Sequence, residues 1–252
     1  MPAVLAIAAH PDDIEFVMAG TMLRLVALGW DAHYFNIANG CCGSTELSRE
    51  HTAEVRLEEA MAAAEAIPAE FHPPIRDDLD IFYDRETLRE VAAVVRRVRP
   101  SIILTHAPVD YMEDHQNAAR LAVGGAFVRC MPNFETSPPV EPFHHDVAVY
   151  HAQPHGNRDP LGHIVVPSLY VDVTDLIPRK RKLLGFHRSQ AQWLDASQQM
   201  NSYIQTMEDL NREVGLLSET FDYAEGWRKH LHLGLSASNY DPLRVALAGS
   251  VK

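Results

Sequence analysis

Residues 2–9 form a continuous apolar run of strand length that stops abruptly at His10-Pro11-Asp12-Asp13. A run without polar alternation predicts a strand buried on both faces, and Pro11 cannot continue its ladder. From Ile14 to Leu28 apolar residues recur at helical spacing. Asp12, Asp13 and Glu15 are placed to cap or complement the start of that helix, and Gly29 to stop it. Ala32 to Ala38 predicts a second strand, Asn39-Gly40 a turn, and Ser48 to Ile67 a long helix rich in Ala and Glu. A weaker extended stretch follows near Glu70 to Ile75. Arg85 to Arg99 reads as a helix broken before Pro100, and Ser101 to Thr105 as a buried strand ending at His106. After a loop at 107–113, Asp114 to Cys130 predicts a helix, Asp146 to His151 and Ser168 to Val173 strands, and Thr174 to Phe186 a helix. The segment from Gln192 to Trp227 is helical in pattern.

Alternation of strand and helix through the first half calls for an α/β fold: a Rossmann-like, mostly parallel sheet with helices on both faces, in three α/β/α layers. With no internal repeat and no long linker, residues 1–252 read as a single domain, and Pro132 to Pro142 as a surface loop. Ligands of such open sheets sit outside the carboxyl ends of strands, where the strand order reverses. Polar clusters at strand ends are therefore the residues to weigh.

Charge narrows the classes of partner. A net charge of −12 and a pI near 5.5 argue against a phosphate-neutralising surface, so no nucleic-acid partner is expected. The N-terminal apolar run is too short for a signal-peptide core or a membrane span. Three cysteines, two of them the neighbours Cys41 and Cys42, make no disulfide framework. A cytoplasmic address is the expectation.

Two clusters carry candidate chemistry. His10 and Asp13 lie at the end of the first strand, and Asp114-His115 follow the strand that ends at His106. Two imidazoles and a carboxylate with one open coordination position are the ligand set of a catalytic zinc ion. Asp12 is then left over, placed as a general base must be, beside the metal but not bound to it. Each cluster alone has a plainer reading, in which Asp12, Asp13 or Asp114 merely caps a helix. Cys41 and Cys42 read as structural thiols, and His144, His145 and His163 as loop histidines.

The run Ala9-His10-Pro11-Asp12-Asp13 after an N-terminal apolar strand, with a later Asp-His before a helix, resembles the PIG-L or LmbE-like N-deacetylase family. Asn39-Gly40, Arg56-x-Glu58-Glu59, Val171-Asp172-Val173 and His187-x-Ser189-Gln190 are similar to further segments of that family. The resemblance implies Zn2+ held by His10, Asp13 and His115, with Asp12 as the base that activates a zinc-bound water. It implies removal of an N-acetyl group from an N-acetylglucosamine-type amino sugar or conjugate. His187 is then expected near the chemistry, Arg56, His155 and Asp114 near the substrate, and a homo-oligomer as the assembly. One departure stands out. Where the family commonly has His-Pro-Asp-His, this chain has Met112-Glu113-Asp114-His115, so a histidine that would donate a proton or stabilise charge is missing. Protonated Asp12, His155 or His187 could substitute.

Two other functions compete. A dinucleotide-dependent oxidoreductase would need Gly-x-Gly-x-x-Gly after the first strand, where this chain has His10-Pro11-Asp12-Asp13-Ile14-Glu15, and two aspartates repel a pyrophosphate. A catalytically altered, metal-containing carbohydrate-binding protein is the alternative that Met112 leaves open.

Overall fold

The computed structural model describes residues 1–191, 193 and 203–252. Its sheet contains β1 (Ala3–Ala8), β2 (Asp31–Asn36), β3 (Ala69–His72), β4 (Ile102–Thr105), β5 (Ala148–Ala152), β6 (Leu169–Asp172) and β7 (Ala224–Lys229), in the order β3-β2-β1-β4-β5-β7-β6. From β3 to β5 every pairing is parallel, whereas β7 runs antiparallel to both β5 and β6.

β1 lies at the centre because its residues are apolar on both faces. Successive side chains of a strand point to opposite sides. Val4, Ala6 and Ala8 accordingly join one core with α1 (Asp13–Val17), α2 (Ala19–Ala27), α3 (Arg49–Ala66) and α6 (Ile177–Leu184). Leu5, Ile7 and Ala9 join the opposite core with α4 (Arg85–Val98) and α5 (Glu113–Phe127). Leu5 and Ile7 are fully buried, each worth about 1.5–3 kcal/mol against exposure. The three-layer, mostly parallel architecture expected from the alternation is the one observed.

Several boundaries differ from the sequence reading. The apolar stretch after Asp13 is two helices, α1 and α2, because Met18 leaves helical geometry with φ −131°. The helix expected to run to Cys130 ends at Phe127 and tightens into one 3-10 turn, Val128–Cys130. Of the helical segment expected from Gln192 to Trp227, residues 192 and 194–202 lie outside the described residues. Tyr203–Ser218 is helical, α7 here, but Ala224–Lys229 is the strand β7. Glu225 disguised that strand. Its carboxylate, buried between sheet and helices, accepts from the amides of Gly20 and Thr21 and the Thr21 hydroxyl, and pairs with Lys180. A charged residue facing a core breaks the apolar pattern by which a strand is recognised. Among the described residues no helix is long and apolar enough to cross a membrane.

Candidate active site

β1 pairs in parallel with β2 on one side and β4 on the other, so strand order reverses between β1 and β4. The chain leaves β1 into Ala9-His10 and leaves β4 into His106, which delivers both polar clusters to one crevice. A cavity of about 390 Å3 opens there, walled by His10, Asp12, Asp13, His106, His115 and His155 among others.

Neither Asp12 nor Asp13 caps α1 with its side chain. Asp13 turns back instead: its Oδ2 accepts from the His10 amide at 2.7 Å, and its Oδ1 lies 3.4 Å from His115 Nε2. His10 Nδ1 is 3.5 Å from the same carboxylate. Ligand atoms of His10, Asp13 and His115 lie within 4.8 Å of one another. Each imidazole is backed by a further carboxylate on its far nitrogen. His10 Nε2 is 3.0 Å from Asp114 Oδ2, and His115 Nδ1 is 3.0 Å from Asp110 Oδ1. A carboxylate that takes the far N–H fixes the tautomer and leaves the near nitrogen with a lone pair for a metal.

Electrostatics agree with a cation at this point. Burial alone lowers the pKa of His10 and His115, but Asp114 and Asp13 outweigh it at His10, raising it to about 9, and Asp13 and Asp110 at His115, raising it to about 10. Burial likewise opposes ionisation of Asp13, yet His115 and His106 hold its carboxyl well below the usual range. The centre is thus built to hold positive charge, as protons or as a metal ion. His106 belongs to an overlapping group, stacked on His115 with ring centroids 4.1 Å apart. Its Nε2 accepts the Ala9 N–H at 3.0 Å, so its lone pair is already engaged. The donor set therefore fits Zn2+ on His10, Asp13 and His115.

Asp12 sits beside this trio with φ 108°, a left-handed conformation costing a non-glycine residue roughly 1–3 kcal/mol. The strain aims its carboxylate into the cavity. Tyr203 of α7 donates a hydrogen bond to Asp12 Oδ2, and Arg56 NH2 lies 3.7 Å from it. Burial pushes the Asp12 pKa up to about 6 against the pull of Arg56, near the range a general base needs.

The remaining expected residues fall less simply. Arg56 lines the cavity, but its terminal nitrogens donate to the carbonyls of Gly40 and Pro11, so it braces the loop under Asp12 more than it offers donors to a substrate. That bracing explains Gly40, whose φ is +78° and where an added Cβ would lie 2.6 Å from Arg56 Cδ. Asp114 is absent from the cavity wall among the described residues; its hydrogen bonds with His10 and the Leu79 amide make it a support for the His10 ring rather than a substrate contact. His187 is also withdrawn, fully buried 3.2 Å from Glu15 behind Asp12. Two segments of the resemblance meet next to it, where Ser189 donates through its amide and hydroxyl to Glu59. His155 does line the cavity, packed between Phe16 and Tyr111. Burial lowers its pKa, with Asp110 and Asp13 acting the other way.

Sequence reasoning missed Asp110, Tyr111 and Tyr203, and saw His106 only as a strand end. Asp110 stands in a loop five residues before His115 with no local pattern, and Tyr203 comes from a helix 191 residues after Asp12. Only folding brings them together.

Residues 5–124 match the PIG-L family model, described as GlcNAc-PI de-N-acetylase. Diacetylchitobiose deacetylase of Thermococcus kodakarensis is 30% identical over 195 residues, covering 74% of this chain and 69% of that protein. 4-Oxalmesaconate hydratase of Pseudomonas putida is 28% identical over 186 residues, covering 71% and 70%. Among solved structures, N,N'-diacetylchitobiose deacetylase from Pyrococcus horikoshii superposes with a TM-score of 0.77 at 22% identity, over 96% of this chain and 88% of the other. With its strand-end motif, the family match over residues 5–124 and the Thermococcus relative over 74% of its length, the chain belongs to the PIG-L family of de-N-acetylases.

Proposed function

We propose that residues 1–252 act as one domain, a zinc-dependent N-deacetylase for an amino sugar or amino-sugar conjugate. The observation that carries this reading is the pairing of a carboxylate-backed His10-Asp13-His115 trio with Asp12, a strained and unliganded neighbour of raised pKa. Zn2+ bound there would act as a Lewis acid toward the amide carbonyl and lower the pKa of water. Asp12 then takes the proton from the attacking water, its Oδ2 held by Tyr203 and Arg56. Asp110 and Asp114 keep the ligand rings in place through the reaction. Phe16, Tyr111 and Trp193 line the walls with apolar faces suited to a pyranose ring, and the volume suits one sugar with its acetamido group.

The test is incubation of zinc-loaded protein and its Asp12→Asn variant with N-acetylated amino sugars, scoring free amine and acetate. Release by the parent and not by the variant, at equal zinc content, supports the reading. A second reading, hydration of an unsaturated carboxylic acid, is favoured by the hydratase relative together with Met112. Loss of an enoate's ultraviolet absorbance, without amine release from any sugar, would select it.

A further inference from the structure

Met112, which stands where the family commonly has a histidine, lines the cavity but carries no proton to give. Most other polar groups of the wall are committed. Tyr203 donates to Asp12, Arg56 to two backbone carbonyls, and His106 Nε2 receives the Ala9 amide. His10 and His115 are turned toward Asp13 and their supporting carboxylates. His187 is sealed behind Asp12.

His155 differs from all of these. Its ring is half-buried in the cavity wall, held 5.3 Å from the Phe16 ring and 5.7 Å from that of Tyr111, and no hydrogen bond to its ring nitrogens occurs among the described residues. Its backbone is registered to the metal trio through Asp110, whose Oδ2 lies 3.4 Å from the His155 amide while Oδ1 takes His115 Nδ1. One carboxylate therefore links His115 to the backbone that carries the His155 ring. A 3-10 turn closed by the Asn157 amide on the Pro154 carbonyl, with Gly156 at φ +79°, presents the side chain. Tyr111 shares the wall with its ring set edge-on against that of His115, the centroids 5.6 Å apart, and is the rival donor that the experiment separates from His155.

We propose that His155 is the proton donor to the departing amine, doing from a different loop what a histidine at position 112 would do. The role rests on the deacetylase reading. Asp12 passes the proton it took from water to the neutral His155 ring through water in the cavity. As the C–N bond breaks, its electron pair goes to nitrogen, which takes that proton from the imidazolium and leaves the ring neutral again. The net change is one water divided between acetate and amine.

The experiment uses the zinc-loaded chain and an N-acetylated amino sugar that the parent cleaves. His155→Ala should lower kcat by about 10²-fold or more, the range of a lost general acid, with KM and zinc content within about 3-fold of the parent. Adding Met112→His to His155→Ala should restore kcat at least 10-fold, which a merely structural role for His155 would not allow. The assignment is overturned if kcat is unchanged, if the loss appears in KM or zinc content instead, if Met112→His restores nothing, or if Tyr111→Phe alone produces the kcat loss. A parent that cleaves no sugar amide removes the deacetylase reading itself, and His155 with it. A cleaving parent with any of the adverse variant results removes only the role of His155.

Discussion

Asp114 offers a sharp test of how the centre is built, because it lies outside the cavity and touches neither substrate nor, on this geometry, the metal. Its Oδ2 serves two donors, His10 Nε2 at 3.0 Å and the Leu79 amide at 2.8 Å. Asp114→Asn keeps an acceptor oxygen of the same shape, so packing and both hydrogen bonds survive and only the negative charge behind His10 is lost. Outer carboxylates of this kind typically change metal affinity by about 10–100-fold, or about 1.4–2.8 kcal/mol. Asp114→Ala removes the acceptor as well, leaving a buried donor unpaired at a further cost of about 1–3 kcal/mol in folding stability. Affinity should be read by competition against a chromogenic zinc chelator at fixed pH, with thermal unfolding measured alongside. The expected pattern is Asn weakening zinc with little change in Tm, and Ala weakening zinc with a lowered Tm. An Asn variant that binds zinc within about 3-fold of the parent would refute the assignment of His10 as an oriented ligand and turn attention to the overlapping group His106, Asp110 and His115.

Asp12→Asn should lower amide hydrolysis by about 10²–10⁴-fold, the usual worth of a general base, with zinc retained; loss of zinc would instead make Asp12 a ligand. In the metal-free protein His10 and His115 titrate near 9 and 10. Below those values zinc must displace their protons, so its apparent affinity should rise with pH toward about 9 and binding should release protons, measurable by calorimetry in buffers of different ionisation enthalpy. By the same shifts, their contribution to the stability of the metal-free fold is fully present below 6.5 and lost as pH rises through 9 to 10; a flat Tm across that window would contradict it. Lys180→Met strips the partner from buried Glu225 and should cost about 3–5 kcal/mol, a fall of roughly 6–20 °C in Tm for a chain of this size. Gly40→Ala forces a Cβ against Arg56 at a positive φ and should lose about 1–2 kcal/mol, with kcat falling while zinc content holds.

Much of the molecule was legible along the chain because its information is local. An apolar run cut by His10-Pro11-Asp12-Asp13 is a buried strand with polar residues at its carboxyl end, and helical spacing, Gly29 and Ser48 marked elements that the structure places within a residue or two. Residue types at two strand ends suggested a donor set of two imidazoles and a carboxylate, and the family resemblance named it as His10, Asp13 and His115. Tertiary structure decided what each neighbour does with that set. Strand order 2-1-4 brought two clusters more than 100 residues apart to one crevice, and packing sorted similar side chains into different roles. Asp114 turns inward behind His10, His187 is sealed against Glu15, Arg56 gives its terminal donors to backbone, and the His155 ring nitrogens face the cavity with no hydrogen-bond partner among the described residues. Sequence specifies which groups can ionise or coordinate. Whether a group meets a metal, a substrate or another buried charge depends on side-chain direction and on the partners that burial compels it to find, and those are properties of the folded chain alone.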